Sequence, residues 1–126
     1  MTKAIFIFPG QGSQSVGMGK ALSDAFPEAR AVFAEVDDAL NQHLSRIISE
    51  GPEDLLTRTD NAQPALMAVS LAVVRVLEKQ SGRSLDQLGS FVAGHSLGEY
   101  SALAAVRALS LGDTARLLRA RGEAMQ

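Results

Sequence analysis

The pentapeptide Gly94-His95-Ser96-Leu97-Gly98 constrains the fold of this chain more than any other stretch, because it matches the pattern G-x-S-x-G. In that pattern a strand turns sharply into a helix, and the central serine takes a strained backbone conformation. The two glycines let the strand and the helix pass close to each other. Residues 90–93 are typical of a short buried strand, and residues 96–106 of a helix rich in alanine and leucine. The stretch predicts a nucleophile elbow that presents the hydroxyl of Ser96; the alternative is a purely structural turn.

Length and composition indicate how many domains the chain can form, which partners it can bind and where in the cell it acts. With 126 residues the chain is one domain or part of one. A net charge of −2 gives no indication of a nucleic-acid or membrane-surface partner, and the sequence contains no cysteine. It also lacks metal-binding motifs, so we do not expect a metal site. No cofactor is expected either. Neither a signal-peptide pattern nor a membrane-length apolar run is present, which predicts a cytoplasmic protein.

Two apolar runs predict the strands of a parallel sheet. Residues 3–8 form an apolar run that ends at Pro9-Gly10, which is typical of a strand covered on both faces. Together with residues 90–93 and about five helices, this run indicates an α/β fold with parallel pairing. An ordinary α/β-hydrolase places several strands before its nucleophile, whereas only one precedes the second strand here. We therefore expect a different topology around the same local turn.

Helices are expected between these strands. One begins at Pro27 and continues as an amphipathic surface helix toward Ile47-Ile48, and a short one covers residues 52–56. Another begins with Asn61 as its N-cap and runs to about residue 80. It is apolar on nearly all sides, which indicates burial in a larger assembly. Residues 81–89 are expected to form a polar connection into the second strand.

A last helix carries three arginines. Ser110 is its predicted N-cap, with Asp113 at the third helical position. Arg116 lies opposite the apolar stripe, while Arg119 and Arg121 flank it. These arginines are either a solvated face or a site that recognises carboxylate or phosphate. Their spacing does not separate Arg119 from Arg121.

Three further features have two interpretations each. The loop over residues 9–14 is either a plain connection or a loop whose backbone N–H groups approach a substrate oxygen. Gln63 is either a capping partner or a site residue. His43 lies near a helix end, where a surface or capping role is far more common than a catalytic one.

Several stretches together resemble the malonyl-CoA:acyl carrier protein transacylase family, whose fold also serves the acyltransferase domains of fatty-acid and polyketide synthases. The stretches are Phe8-Pro9-Gly10-Gln11-Gly12-Ser13-Gln14, Gln63-Pro64-Ala65, Gly94-His95-Ser96-Leu97-Gly98-Glu99-Tyr100 and Arg121-Gly122. The resemblance implies that residues 1–126 are the N-terminal part of an α/β-hydrolase-like large subdomain. It also implies truncation before a ferredoxin-like small subdomain that begins near Gln126.

The resemblance implies a ping-pong acyl transfer in fatty acid biosynthesis. Ser96 would attack the malonyl thioester, coenzyme A would leave, and the phosphopantetheine thiol of acyl carrier protein would collect the malonyl group. By the family pattern, the backbone N–H groups of Gln11 and Leu97 form the oxyanion hole. Arg121 would hold the malonyl carboxylate. Gln63 and His95 would line the site.

Two departures from the family pattern lead to alternative expectations. Arg107 stands where most relatives have a glycine or another small residue. The family's general base is a histidine far downstream, whereas this chain contains only His43 and His95. We therefore expect residues 1–126 alone to be inactive. The alternatives are a serine hydrolase or thioesterase, which would pass the acyl group to water, and a non-catalytic fragment.

Overall fold

Two parallel strands and the helices beside them form an α/β fold, as the apolar runs predict. The computed structural model describes residues 4–126, apart from the side chain of Ser90, and this range holds two strands and eight helices. Lys3, which we expected in the first strand, lies outside the described residues. The elements in chain order are β1 (Ala4–Phe8), α1 (Lys20–Ala25), α2 (Pro27–Leu40), α3 (Leu44–Glu50), α4 (Glu53–Thr57), α5 (Thr59–Ser81), α6 (Leu85–Leu88), β2 (Gly89–Gly94), α7 (Gly98–Ala105) and α8 (Leu111–Met125).

The two strands bring the loop after β1 and the turn after β2 to the same edge of the sheet. β1 and β2 pair in parallel, with Phe8 opposite Gly94 at their carboxyl ends. Parallel strands need a long crossover, which α1 to α6 provide here. Loop 9–14 and Ser96 therefore leave the sheet side by side.

Only one face of this sheet is covered within the described residues, so the prediction of a strand covered on both faces is wrong for residues 4–126. Phe8 is buried, whereas Ile5, Ile7 and Phe91 are 63%, 74% and 69% exposed. The cause is the alternation of side chains along a strand, which sends neighbouring residues to opposite faces. The helices of this chain pack against one of those faces.

The helix that carries Gln63 lies at the centre of the helical layer. α5 packs against α2, α7 and α8, and its residues 60–68 are all buried. The predicted burial is therefore confirmed for this part of the helix. The predicted start at Asn61 is wrong, because α5 begins at Thr59 and the Asn61 amide donates to the carbonyl of Leu55 at 2.9 Å instead of capping the helix.

The predicted helix from Pro27 to Ile47-Ile48 is two helices. α2 ends at Leu40 because Asn41 adopts a left-handed conformation with φ of 50°. α3 begins after His43, which takes the N-cap position. The backbone N–H of Ser45 donates to Asp37 at 2.9 Å and fastens the start of α3 to α2.

Smaller corrections concern short helices and helix ends. α1 was not predicted, and α6 interrupts the expected polar connection with a capping box formed by Ser84 and Gln87. α7 begins at Gly98 instead of Ser96. The predicted cap of the last helix is confirmed, since Ser110 Oγ accepts from the N–H of Asp113 at 3.1 Å. Among residues 4–126, no helix combines the length and apolar character that a membrane span requires.

A cluster around Glu78 fastens the far end of α7 to α5. Arg107 has a left-handed backbone with φ of 63°, which an L-residue adopts at a cost. Its guanidinium donates twice to the Glu78 carboxylate, at 3.0 and 3.1 Å. Glu78 also accepts from the N–H of Leu85 at 2.9 Å and from Arg75 at 3.3 Å. Burial raises the pKa of Glu78, but these hydrogen bonds and the two positive charges outweigh it and hold the pKa below its ordinary value.

Glu78→Gln should lower the free energy of unfolding of the full-length gene product by about 2 kcal/mol at neutral pH, because the amide loses charge-assisted hydrogen bonds. A carboxyl whose folded-state pKa is depressed stabilises the fold above its ordinary pKa, and this contribution is lost as pH falls through the folded-state value. Urea unfolding from neutral to acid pH should therefore show the difference between wild type and variant shrinking toward acid pH.

The matched control is Glu50→Gln, which removes an exposed pair with Arg46 whose side chains are 80% and 64% exposed. Exposed pairs of this kind contribute little, so we expect almost no effect. Equal losses for the two substitutions, or a Glu78 effect that does not vary with pH, would contradict the role given to Glu78.

Candidate active site

Ser96 occupies a tight turn between β2 and α7. It has a left-handed backbone with φ of 57° and an exposed side chain. A Cβ on Gly94 would lie 2.0 Å from the carbonyl of Gly98, and one on Gly98 would lie 2.2 Å from the carbonyl oxygen of Phe8. Both glycines are therefore required, because strand, helix and the end of β1 meet without room for a side chain.

Gly98→Ala should lower the free energy of unfolding by about 3 kcal/mol, because the new methyl group overlaps backbone that cannot move aside. The control is Gly112→Ala, near the start of α8, where the nearest atom to a Cβ is 3.4 Å away in the flexible side chain of Arg116. This control should be neutral or stabilising by up to about 1 kcal/mol. Denaturant unfolding of the two variants checks the prediction, and similar values for both would contradict it.

The Arg121 guanidinium links Ser96 to Gln63. Arg121 Nη2 donates to Ser96 Oγ at 2.9 Å, and Nη1 donates to Gln63 Oε1 at 2.7 Å. Gln63 is fully buried, and its Nε2 donates to the sulfur of Met125 at 3.4 Å. A Cβ on Gly122 would lie 2.6 Å from the Cα of Asp60, so α8 meets α5 backbone to backbone beside this contact. The packing of α5, α7 and α8 thus brings three distant residues together.

The structure gives Arg116, Arg119 and Arg121 different partners, which their spacing along the helix could not predict. Arg119 donates to Gln42 Oε1 and lies 4.0 Å from Asp60, with its side chain 20% exposed. Arg116 pairs with Asp113 at 2.7 Å on the surface. Within residues 4–126, Arg121 has no carboxylate within salt-bridge distance, and its charge faces Ser96 instead.

Sequence reasoning did not predict that Tyr100 contacts Arg121. The Cζ atom of Arg121 lies 5.6 Å from the centre of the Tyr100 ring, which is within the range of a cation–π interaction. The residues are 21 positions apart on different helices, so no periodicity could have indicated the contact.

The loop over residues 9–14 lies against the turn. The N–H of His95 donates to the carbonyl of Phe8 at 3.1 Å, and a Cβ on Gly10 would lie 2.7 Å from His95 Nδ1. Gln11 donates through its side chain to Thr59 Oγ1 at 3.1 Å, which fastens the loop to the start of α5. Among the described residues, the backbone N–H groups of Gln11 and Leu97 find no acceptor.

The two histidines differ in position. His95 is exposed beside Ser96, whereas His43 occupies the N-cap position of α3 without a side-chain capping hydrogen bond. In the part of the chain that the structure describes, Ser96 Oγ is hydrogen-bonded to Arg121 and to no histidine or carboxylate. The same residues contain no cluster of three potential metal ligands.

The chain belongs to the acyl transferase domain family, whose model matches residues 5–126. It is 51% identical over 125 residues to the malonyl CoA-acyl carrier protein transacylase of Bacillus subtilis. The matched region covers 99% of this chain and 38% of that relative. The crystal structure of the acyl-carrier-protein S-malonyltransferase of Bartonella henselae matches with a TM-score of 0.95 and 64% identity. It covers 99% of this chain and 40% of that one.

A further solved structure concerns a complex. It is described as a type II PKS acyl-carrier protein with its malonyl-transacylase, and it matches with a TM-score of 0.92 and 42% identity over 99% of this chain and 39% of that one. The acyltransferase fold expected from the motifs is therefore confirmed. The chain spans about two fifths of the length of these relatives.

Proposed function

We propose that this chain forms the nucleophile-bearing part of an S-malonyltransferase that moves malonyl from malonyl-CoA to acyl carrier protein for fatty acid synthesis. One observation carries the proposal: an arginine without a carboxylate partner among the described residues donates to the hydroxyl of a serine on a strained strand-to-helix turn. The names of the relatives support the same substrates. Ser96 would be a nucleophile elbow, in the first segment of an α/β-hydrolase-like large subdomain.

Acyl transfer would proceed through an ester on Ser96. Its Oγ attacks the thioester carbonyl while the hydroxyl proton passes to a base, and the carbonyl oxygen becomes an oxyanion. Collapse of this intermediate breaks the C–S bond, and coenzyme A leaves as its thiol after taking up a proton. The thiol of acyl carrier protein then attacks the ester by the same steps and restores the Ser96 hydroxyl.

The oxyanion would be held by the N–H groups of Gln11 and Leu97. Leu97 follows Ser96 in the sequence, and Gln11 lies in the loop that leaves the neighbouring strand at the same edge of the sheet. Neither N–H finds an acceptor among the described residues. Uncommitted N–H donors directed at developing charge lower the barrier to acyl transfer. His95, which packs against Gly10, would line the same space.

The carboxylate of the malonyl group would bind Arg121. A guanidinium offers a planar fork of donors that matches a carboxylate, and Gln63 holds one end of the fork through Nη1 at 2.7 Å. Nη2 donates to Ser96 Oγ in this structure and would donate to the substrate carboxylate when the substrate binds.

The general base would come from outside residues 1–126. Activation of Ser96 needs an acceptor within about 3.2 Å of its hydroxyl. No histidine or carboxylate among residues 4–126 is bonded to Ser96 Oγ. We infer that residues 1–126 are one part of a large subdomain that a small ferredoxin-like subdomain interrupts, and that they do not turn over alone.

Ser96→Ala should abolish covalent labelling of the full-length protein by radioactive malonyl-CoA, because the acyl-enzyme forms on that hydroxyl. Labelling should require native protein and should be discharged by carrier-protein thiol faster than by water. Label that survives the substitution would contradict the role of Ser96. Discharge to water at the same rate with and without carrier protein would indicate a hydrolase.

Arg121→Ala should reduce malonyl transfer relative to acetyl transfer by on the order of a hundredfold, since the substrate carboxylate loses its charged partner. The matched control is Arg116→Ala on the same helix, which should leave selectivity unchanged because Arg116 pairs with Asp113 at the surface. Competition between the two acyl-CoA donors measures the ratio. Unchanged selectivity in Arg121→Ala together with a change in Arg119→Ala would show that Arg119 binds the carboxylate.

A further inference from the structure

We propose that Tyr100 is a positioning residue that holds the Arg121 guanidinium in the plane that faces Ser96. The inference rests on the proposed function, in which Arg121 binds the carboxylate of the acyl group. Tyr100 lies in the first turn of α7, four residues after Ser96, and is half-buried. Its ring centre is 5.6 Å from Arg121 Cζ.

The guanidinium has three defined neighbours. Gln63 Oε1 binds Nη1 at 2.7 Å, Ser96 Oγ binds Nη2 at 2.9 Å, and the Tyr100 ring lies at cation–π distance. When Nη2 leaves Ser96 for a substrate carboxylate, the bond from Nη1 to Gln63 alone would leave the guanidinium free to rotate about that bond. The aromatic ring removes this freedom, so less ordering is required when a carboxylate binds.

An aromatic neighbour suits this position better than a carboxylate would. An aspartate or glutamate would occupy the in-plane N–H donors and neutralise the charge before the substrate arrives. A ring attracts the cation through its π-electrons and leaves the donors available. Arg119 shows the opposite arrangement, because its donors face Gln42 and Asp60.

Tyr100 also links the carboxylate anchor to the nucleophile. The ring belongs to α7, which begins at Gly98, so the position of the ring relative to Ser96 is set within one turn and one helix. By contacting Arg121, which lies on α8, the ring would fix the separation between Ser96 Oγ and the guanidinium. The spacing between thioester carbonyl and carboxylate in a substrate must match that separation. Loss of the ring should therefore slow the transfer of acyl groups that carry a carboxylate and leave the transfer of other acyl groups unchanged.

The test compares Tyr100→Leu and Tyr100→Phe in the full-length protein, with malonyl-CoA and acetyl-CoA as acyl donors. Tyr100→Leu should lower kcat/KM for malonyl about three- to thirtyfold, the range expected for a cation–π contact, and leave acetyl unchanged. Tyr100→Phe keeps the ring and should retain malonyl selectivity. Leu103→Ala, one turn further along α7, controls for a general loosening of the helix and should change neither value.

Phenylalanines with increasing fluorination at position 100 provide a second series that preserves shape. Each fluorine weakens the attraction of the ring for a cation, so malonyl kcat/KM should fall in steps while acetyl kcat/KM stays constant. In an Arg121→Ala background the same replacements should have no effect on selectivity.

Two results would overturn the inference. One is an equal loss for both donors in Tyr100→Leu, and the other is a fluorinated series without a trend in malonyl selectivity. Either result, with labelling that still depends on Ser96, leaves the proposed function standing and removes only the role of Tyr100. Labelling that persists in Ser96→Ala would instead contradict the proposed function itself.

Discussion

The close approach of three backbone segments beside Ser96 determines where the other site residues lie. Glycine at positions 94 and 98 lets β2 end directly against the first turn of α7, and it lets both meet the carboxyl end of β1 at Phe8. The same contact seats loop 9–14 against His95 and directs α7 toward α5 and α8. A methyl group at either glycine would separate the serine from the loop and from the arginine at once.

Electrostatics provides the second constraint, because residues 4–126 place a carboxylate beside Arg119 of α8 and none within salt-bridge distance of Arg121. Arg119 faces Asp60 and Gln42, and both groups help to join α5, α8 and the loop after α2. Arg121 has a neutral amide and an aromatic ring as neighbours. A buried amide such as Gln63 can orient a guanidinium without cancelling its charge, and it leaves the attraction for an anionic ligand largely intact.

The sequence predicted those features of the fold that depend on residues close together in the chain. The turn around Ser96, the parallel strands, the buried character of α5 and the cap at Ser110 follow from glycine spacing, apolar runs and capping chemistry. The break at Asn41 was missed, because a left-handed asparagine ends a helix without disturbing the apolar period. The choice between Arg119 and Arg121, and the contact of Tyr100 with Arg121, depend on how three helices pack, which no spacing within one helix contains.

The described residues place hydrogen-bond donors at Ser96, next to it in the chain and in the loop beside its turn. Arg121 donates to Oγ at 2.9 Å, and the N–H groups of Gln11 and Leu97 lack acceptors among residues 4–126. Donors stabilise an oxyanion and a carboxylate, yet they cannot remove the proton that a serine must lose when it attacks. Residues 4–126 bond neither a histidine nor a carboxylate to Oγ, so the described residues bring a donor to this hydroxyl and no bonded group that could accept its proton. Under the proposed function, residues 1–126 would stabilise the developing charge, and a base outside them would accept the proton.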